Sequence, residues 1–153
     1  MIGLVAAAGS AGLLVAALGF QYLGGLAPCE MCLWQRWPHL AAALLGGALL
    51  FLPGARVPLA ALGALAMIVG AGLGGYHAGV EWGFWAGPSA CAGGAGVGGQ
   101  SAEALLAQIM AAPVVRCDEV AWSLLGLSMA GWNALASAGL AGLWLLALGR
   151  ARG

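Results

Sequence analysis

The sequence predicts an all-α membrane protein: a four-transmembrane-helix bundle with a short surface helix in one exterior loop. Composition is the first observation behind this. Of 153 residues, 63% are hydrophobic and 7% charged, where a soluble domain carries about a quarter charged residues. Five basic and five acidic residues are too few to cover a water-facing surface. The second observation is that four separate windows of about 20 mostly apolar residues, the length that crosses a bilayer, can be cut from the chain. The third is that no stretch alternates apolar and polar residues as the strands of a membrane barrel do. A formal net charge of zero, with no basic run, speaks against nucleic-acid binding, and the apolar excess excludes disorder.

The elements follow in order within a single membrane domain of residues 1–153. The first span covers residues 2–21; its apolar run is too long for a signal peptide and lacks a basic start, so it is expected to remain uncleaved. The second span covers 33–52, the third 57–76 and the fourth 130–149. Only Pro53, Gly54, Ala55 and Arg56 separate the second from the third, a tight helical hairpin. The connection 77–129 is the one place for an extramembrane structure. Within it, the glycine-rich stretch 93–99 is expected to be a hinge. Residues 101–110 are expected to form the surface helix, capped by Ser101 with Leu105, Leu106, Ile109 and Met110 on one side. Many of the 28 glycines, among them Gly70, Gly72, Gly74 and Gly75, are expected to permit close helix packing in lipid.

Orientation follows from charge. Arg56, Arg150 and Arg152 fall on one side of a four-crossing chain, and the positive-inside rule puts that side, with both termini, in the cytoplasm. All four cysteines (Cys29, Cys32, Cys91 and Cys117) then lie on the opposite, exterior face, where disulfides persist. None falls inside a span.

Cys29 and Cys32 form a Cys-x-x-Cys pair just after Pro28 and just before a helix. Proline suits a first helical turn, so Cys29 is placed near a helix N-terminus, where free N–H groups and the macrodipole favour a thiolate. A lowered pKa makes a good leaving group in thiol exchange. A zinc pair or a plain structural disulfide is the alternative. Zinc sites usually show a second close cysteine pair, whereas Cys91 and Cys117 are 26 residues apart.

Nine of the ten charged residues lie outside the four windows; Arg36 lies inside the second. It sits roughly 5 Å deep at helical rise and four residues after Cys32, on the same helix face. A permanent cation there stabilises a thiolate or a reduced, anionic cofactor; the alternative is snorkelling to the headgroups. Net oxidation of an exported thiol oxidase needs a sink more oxidising than glutathione, and in a bilayer the small apolar oxidant is a quinone. Trp34, Trp37, Tyr76, His77, Trp82 and Trp85 are candidates to wall its site. All but His77 are better explained as an interfacial belt.

These residues resemble the disulfide bond formation protein B (DsbB) family. The resemblance is carried by the run from Pro28 through Cys29, Glu30, Met31, Cys32, Leu33, Trp34 and Gln35 to Arg36. Tyr76 and His77 at the end of the third span, and Cys117-Asp118-Glu119-Val120-Ala121-Trp122, complete it, over roughly residues 20–135. The resemblance implies a protein of the bacterial inner membrane, its cysteines periplasmic, that reoxidises the periplasmic thiol oxidase DsbA and passes electrons to ubiquinone or menaquinone. It implies that Cys91 forms the mixed disulfide with the partner, that Cys117 relays to Cys29, and that Cys32 contacts the quinone beside Arg36, with His77 a further quinone-site candidate. Trp122 is given no role. Arg116 is a candidate to favour the Cys117 thiolate, with plain solvation the alternative. Asp118, Glu119 and Glu103 are taken as solvated, and Glu81 as a group that could orient His77. Two rival classes remain: a haem carrier using His39 and His77 as axial ligands, which leaves the cysteines unexplained, and a thiolate-based metal transporter, which Arg36 opposes.

Overall fold

A computed structural model describes residues 1–88, 101, 103, 106 and 115–152. It contains four long helices: α1 (Ile2–Tyr22), α2 (Glu30–Phe51), α3 (Arg56–Glu81) and α4 (Met129–Arg152). Each packs against two neighbours, α1 on α2 and α4, and α3 on α2 and α4, closing a four-membered ring. By length and composition α1, α4 and the segment Pro53–Glu81 can cross a membrane. Helix α2 has the length, 22 residues, but carries Gln35, Arg36 and His39 in its first half and does not reach the same apolarity. The hinge expected over 93–99 lies outside the described residues. So does most of the surface helix expected over 101–110.

The helix ends show why the boundaries moved. Cys29 is the N-cap of α2, its Sγ accepting from the backbone N–H of Cys32 at 3.2 Å, and Glu30 complements the positive end of the helix. Between α2 and α3 the chain makes one 3-10 turn, Pro53–Ala55. Helix α3 runs five residues past the expected end at Tyr76. Its true stop is Gly83 at φ 74°, with Phe84 N donating to Gly79 O at 2.9 Å and Gly83 N to Val80 O at 3.0 Å, the paired bonds of a Schellman cap. His77 and Glu81 made the sequence look like a loop; they are polar side chains on a continuing helix.

A two-stranded hairpin, β1 (Ser123–Leu124) against β2 (Leu127–Ser128), leads into α4. Its turn residues Leu125 and Gly126 both have positive φ, 54° and 79°, as a type I′ turn requires. The Ser128 hydroxyl then accepts from Gly131 N at 3.1 Å and caps α4.

Toward the chain termini the bundle is filled by Ala6, Ala7, Ala42, Ala60, Ala64, Met67, Ala141 and Trp144. Small residues let the backbones close in around one large ring: a Cβ at Gly63 would fall on the Trp144 indole. Gly74 likewise faces α4, where a Cβ would meet Ala134 N at 2.8 Å. Of the four glycines singled out from the sequence, Gly70 and Gly74 are packing contacts. Gly72 and Gly75 face open space.

Candidate functional site

The other end of the bundle has a second core cluster, Cys29, Met31, Val80 and Cys117, with Cys32 and Val115 packed against it. Three of the four cysteines are thus brought together from two segments 85 residues apart along the chain. Cys29 and Cys32 are free thiols, and Cys117 is held in a disulfide whose partner lies outside the described residues. Cys91 also lies outside them.

The Cys29 and Cys32 sulfurs are 2.9 Å apart, the Cys29 thiol donating to Cys32. Both precede the apolar window that begins at Leu33. Sharing that proton, and burial behind it, push the Cys29 pKa well above the ordinary thiol value. The same hydrogen bond draws the Cys32 pKa down to about 7, against the opposing effect of burial; a backbone hydrogen bond from Cys29 helps lower it, the Glu81 charge opposes, and Arg36 adds a smaller pull. The expected thiolate therefore falls on Cys32 rather than Cys29. Cys29 does occupy the helix N-terminus, but at 5% exposure its pKa is raised, and its thiol is the donor to Cys32.

Behind the thiols runs a buried polar chain that joins three helices. A backbone carbonyl can only accept, so Gln35 turns its Nε2 toward Met31 O, 3.0 Å away. The second hydrogen of that nitrogen reaches His77 Nδ1 at 2.8 Å, which must be bare. His77 then bears its proton on Nε2, which lies 3.6 Å from Cys29 Sγ, with the backbone of Cys117 as a hydrogen-bond partner of the ring. Gln35 Oε1 accepts from Asn133 Nδ2 at 2.7 Å, leaving Asn133 Oδ1 to face His39 Nε2 at 2.9 Å. One carbonyl thus fixes the orientation of two amides and the tautomer of two imidazoles.

This arrangement bears on the metal and haem alternatives. Cys29, Cys32 and His77 offer donor atoms within 4.8 Å of one another. The His77 nitrogen nearest the sulfurs, however, is the one that bears the proton in this network. His39 Nε2 is likewise engaged by Asn133.

An apolar cavity of about 340 Å³ opens against the cysteines, bounded by α1, α2, α4 and the segment before the hairpin. Cys32, Gln35, Arg36 and His39 line it as one stripe of α2, the i, i+3, i+4, i+7 pattern of a single helix face. Arg36 donates from Nη1 to Gln21 Oε1 of α1 at 2.7 Å, which ties the guanidinium to the facing helix while it lines the cavity. Of the aromatic candidates read from the sequence, only His77 lines the cavity; Trp34, Trp37, Tyr76, Trp82 and Trp85 do not. Those five are exposed side chains, and Trp85 stacks on Tyr76 at 5.8 Å. The aromatic wall is made instead by Phe20, Trp122 and Trp132, with Phe20 and Trp122 in ring contact at 5.2 Å.

Glu81, expected in the connection 77–129 as a group that could orient His77, is the last residue of α3. Its side chain is 5% exposed, and Oε1 lies 3.9 Å from His77 Nε2, close enough for attraction but too long for a hydrogen bond. Arg116 pairs with Asp118 at 2.6 Å and with Glu119 at 3.4 Å, so its charge is spent locally and the two acids are ion-paired as well as exposed. The Arg116 guanidinium holds the Asp118 carboxyl below its ordinary pKa. Gln21, Gln35 and Asn133 were missed by sequence reasoning. The signal for them was present, since each is an uncharged polar residue within or bordering an apolar span, where such groups seek partners.

The comparisons with known proteins fit this geometry. The family of disulfide bond formation protein DsbB matches residues 1–147. The chain belongs to the DsbB family. A disulfide bond formation protein B from Verminephrobacter eiseniae (strain EF01-2) is 37% identical over 147 residues, covering 89% of this chain and 77% of the relative. No solved structure matches the chain. As a DsbB-family member it is a membrane disulfide bond formation protein, with the disulfide oxidoreductase activity that the family name describes.

Proposed function

We propose that this DsbB-family protein reoxidises a DsbA-type periplasmic thiol oxidase and passes the electrons through two cysteine pairs to a membrane quinone, ubiquinone or menaquinone. The observation that carries the reading is the Cys29–Cys32 pair opening on an apolar cavity that Arg36 lines, with Cys117 packed behind it. The cavity residues fit a quinone ring: the volume lies in the range of small-molecule sites, and the polar groups are few and converge at the thiols. Bound there, a quinone supplies a lipid-soluble acceptor of two electrons and two protons.

The chain's own residues account for the rest. Cys91 takes the mixed disulfide with the partner, and the partner's two thiols are oxidised as the Cys91–Cys117 disulfide is reduced. Cys117 then attacks Cys29 of the oxidised Cys29–Cys32 disulfide, with Cys32 leaving as thiolate, and Cys91 attacks Cys117 in turn to free Cys29, which leaves Cys91 and Cys117 oxidised and Cys29 and Cys32 reduced. Cys32, held anionic by the Cys29 thiol and Arg36, delivers the electron pair at the cavity, and closing the Cys29–Cys32 disulfide releases two protons in total. His77, held by Gln35, keeps Cys29 in place. The chain forms a single domain of residues 1–153. It crosses the inner membrane four times, with both termini in the cytoplasm and the cysteines in the periplasm.

Purified protein, a reduced DsbA-like substrate and quinone make the test. Quinone consumption is expected, abolished in Cys32→Ser and shifted to weaker quinone affinity in Arg36→Ala. Full turnover in Cys32→Ser overturns the mechanism.

A further inference from the structure

The cavity wall holds polar groups that this mechanism does not use, and His39 is the one of them on the same stripe of α2 as Cys32 and Arg36. His39 lies on α2 one turn deeper than Arg36, lines the same cavity and is 3% exposed. Its Nδ1 is buried with no hydrogen-bond partner among the described residues. An unpaired buried polar atom costs free energy, and within a bilayer no bulk water can satisfy it.

The chemistry of the missing partner follows from the tautomer. The amide chain from Met31 O through Gln35 and Asn133 puts the His39 proton on Nε2; Ser137 Oγ lies 3.2 Å from that same nitrogen. Nδ1 is therefore a lone-pair acceptor and calls for a donor. Arg36, on the same stripe, offers only donors. The rise between the two residues is roughly 4.5 Å, on the order of the width of a six-membered ring. An oxidised quinone presents carbonyl acceptors at both edges, suited to Arg36 and unsuited to a bare Nδ1. A quinol presents hydroxyl donors and suits it.

We propose that His39 is a second ring contact, opposite Arg36, that accepts a hydrogen bond at Nδ1 from a quinol hydroxyl and biases the site toward the reduced ring. This rests on the quinone reading above. Tighter binding of the product form than of the oxidised form shifts the bound equilibrium toward reduction, which is the direction electrons must take to leave the dithiol.

Equilibrium binding tests it, using the full-length protein with its cysteines oxidised and a short-chain ubiquinone or its quinol under anaerobic conditions. His39→Leu is expected to weaken quinol binding about tenfold, the worth of one hydrogen bond to a buried group, and to change quinone binding much less. His39→Gln, which keeps a donor for Asn133 and an acceptor oxygen, is expected to restore part of the quinol affinity. A nitrogen-15 spectrum of the wild-type protein makes the test independent of variant folding: quinol, and not quinone, should shift the bare Nδ1 resonance of His39. Equal loss of both ligands in His39→Leu, or a quinol-bound spectrum without that shift, overturns the role of His39 alone. Wild-type protein that binds neither form overturns the quinone reading together with it.

Discussion

The two ends of the helix bundle solve different problems with the same four helices. Toward the termini, alanines and glycines close around Met67 and Trp144, and the interior is shape without chemistry. At the other end, thiols, two imidazoles, two amides and a carboxyl are buried together. Buried polar groups are tolerated only when satisfied, and here almost every one is. Among the described residues the exceptions at this end, His39 Nδ1 and Glu81 Oε2, both belong to residues lining the cavity, and a third such atom, Trp144 Nε1, is enclosed at the packed end. The difference teaches where to look for function: the packed end fixes the helix positions, and the polar end spends that rigidity on holding a thiolate beside an apolar cavity.

Perturbing the packed end should produce the largest change in stability and little in chemistry. Gly63→Val places a side chain against the Trp144 ring, and overpacking of this kind costs about 1–3 kcal/mol. Thermal unfolding in detergent should show a lowered Tm, while the activity of the protein that remains folded stays close to wild type. An equal loss of specific activity would mean that the two ends are not separable.

The polar end should show itself in titration. The Cys32 pKa is drawn down to about 7, so its anionic form dominates above that pH and is lost as pH falls through it. Ultraviolet thiolate absorbance of the reduced protein should rise with a midpoint near pH 7, and Cys29→Ser, which weakens the sulfur-to-sulfur hydrogen bond, should move the midpoint upward. A midpoint at the ordinary thiol value in wild-type protein would contradict the assignment of the thiolate to Cys32.

The smallest effect is expected at Arg116. Its partners Asp118 and Glu119 are exposed, and exposed ion pairs contribute little. Arg116→Ala should leave Tm unchanged within error and dithiol oxidation near wild type. A large loss of activity would restore the reading in which Arg116 activates Cys117.

Much of this division was legible in the sequence. The spacing of Cys32 and Arg36 placed both on the face of α2 that lines the cavity, because residues four apart on a helix share a side. The four long helices followed from apolar run length. Two things were hidden for a physical reason. The end of α3 was set by the Gly83 cap rather than by hydropathy, so His77 and Glu81 looked like loop residues. The tautomer chain depends on Gln35 and Asn133 meeting across 98 positions of sequence, a contact that no local pattern encodes. The hairpin at Leu125 and Gly126 was missed because a leucine at positive φ has no reliable sequence signal.

The central claim is that the Cys29–Cys32 dithiol gives its electrons to a quinone in the adjoining cavity. The most direct measurement is a single anaerobic turnover with fully reduced protein, no thiol substrate and excess quinone, following quinol formed and thiols lost at each cysteine. One quinol is expected for each Cys29–Cys32 disulfide closed, with no quinol formed when Cys32 is replaced by serine. Quinol formation that leaves Cys29 and Cys32 reduced, or thiols that persist while quinone is bound, would contradict it.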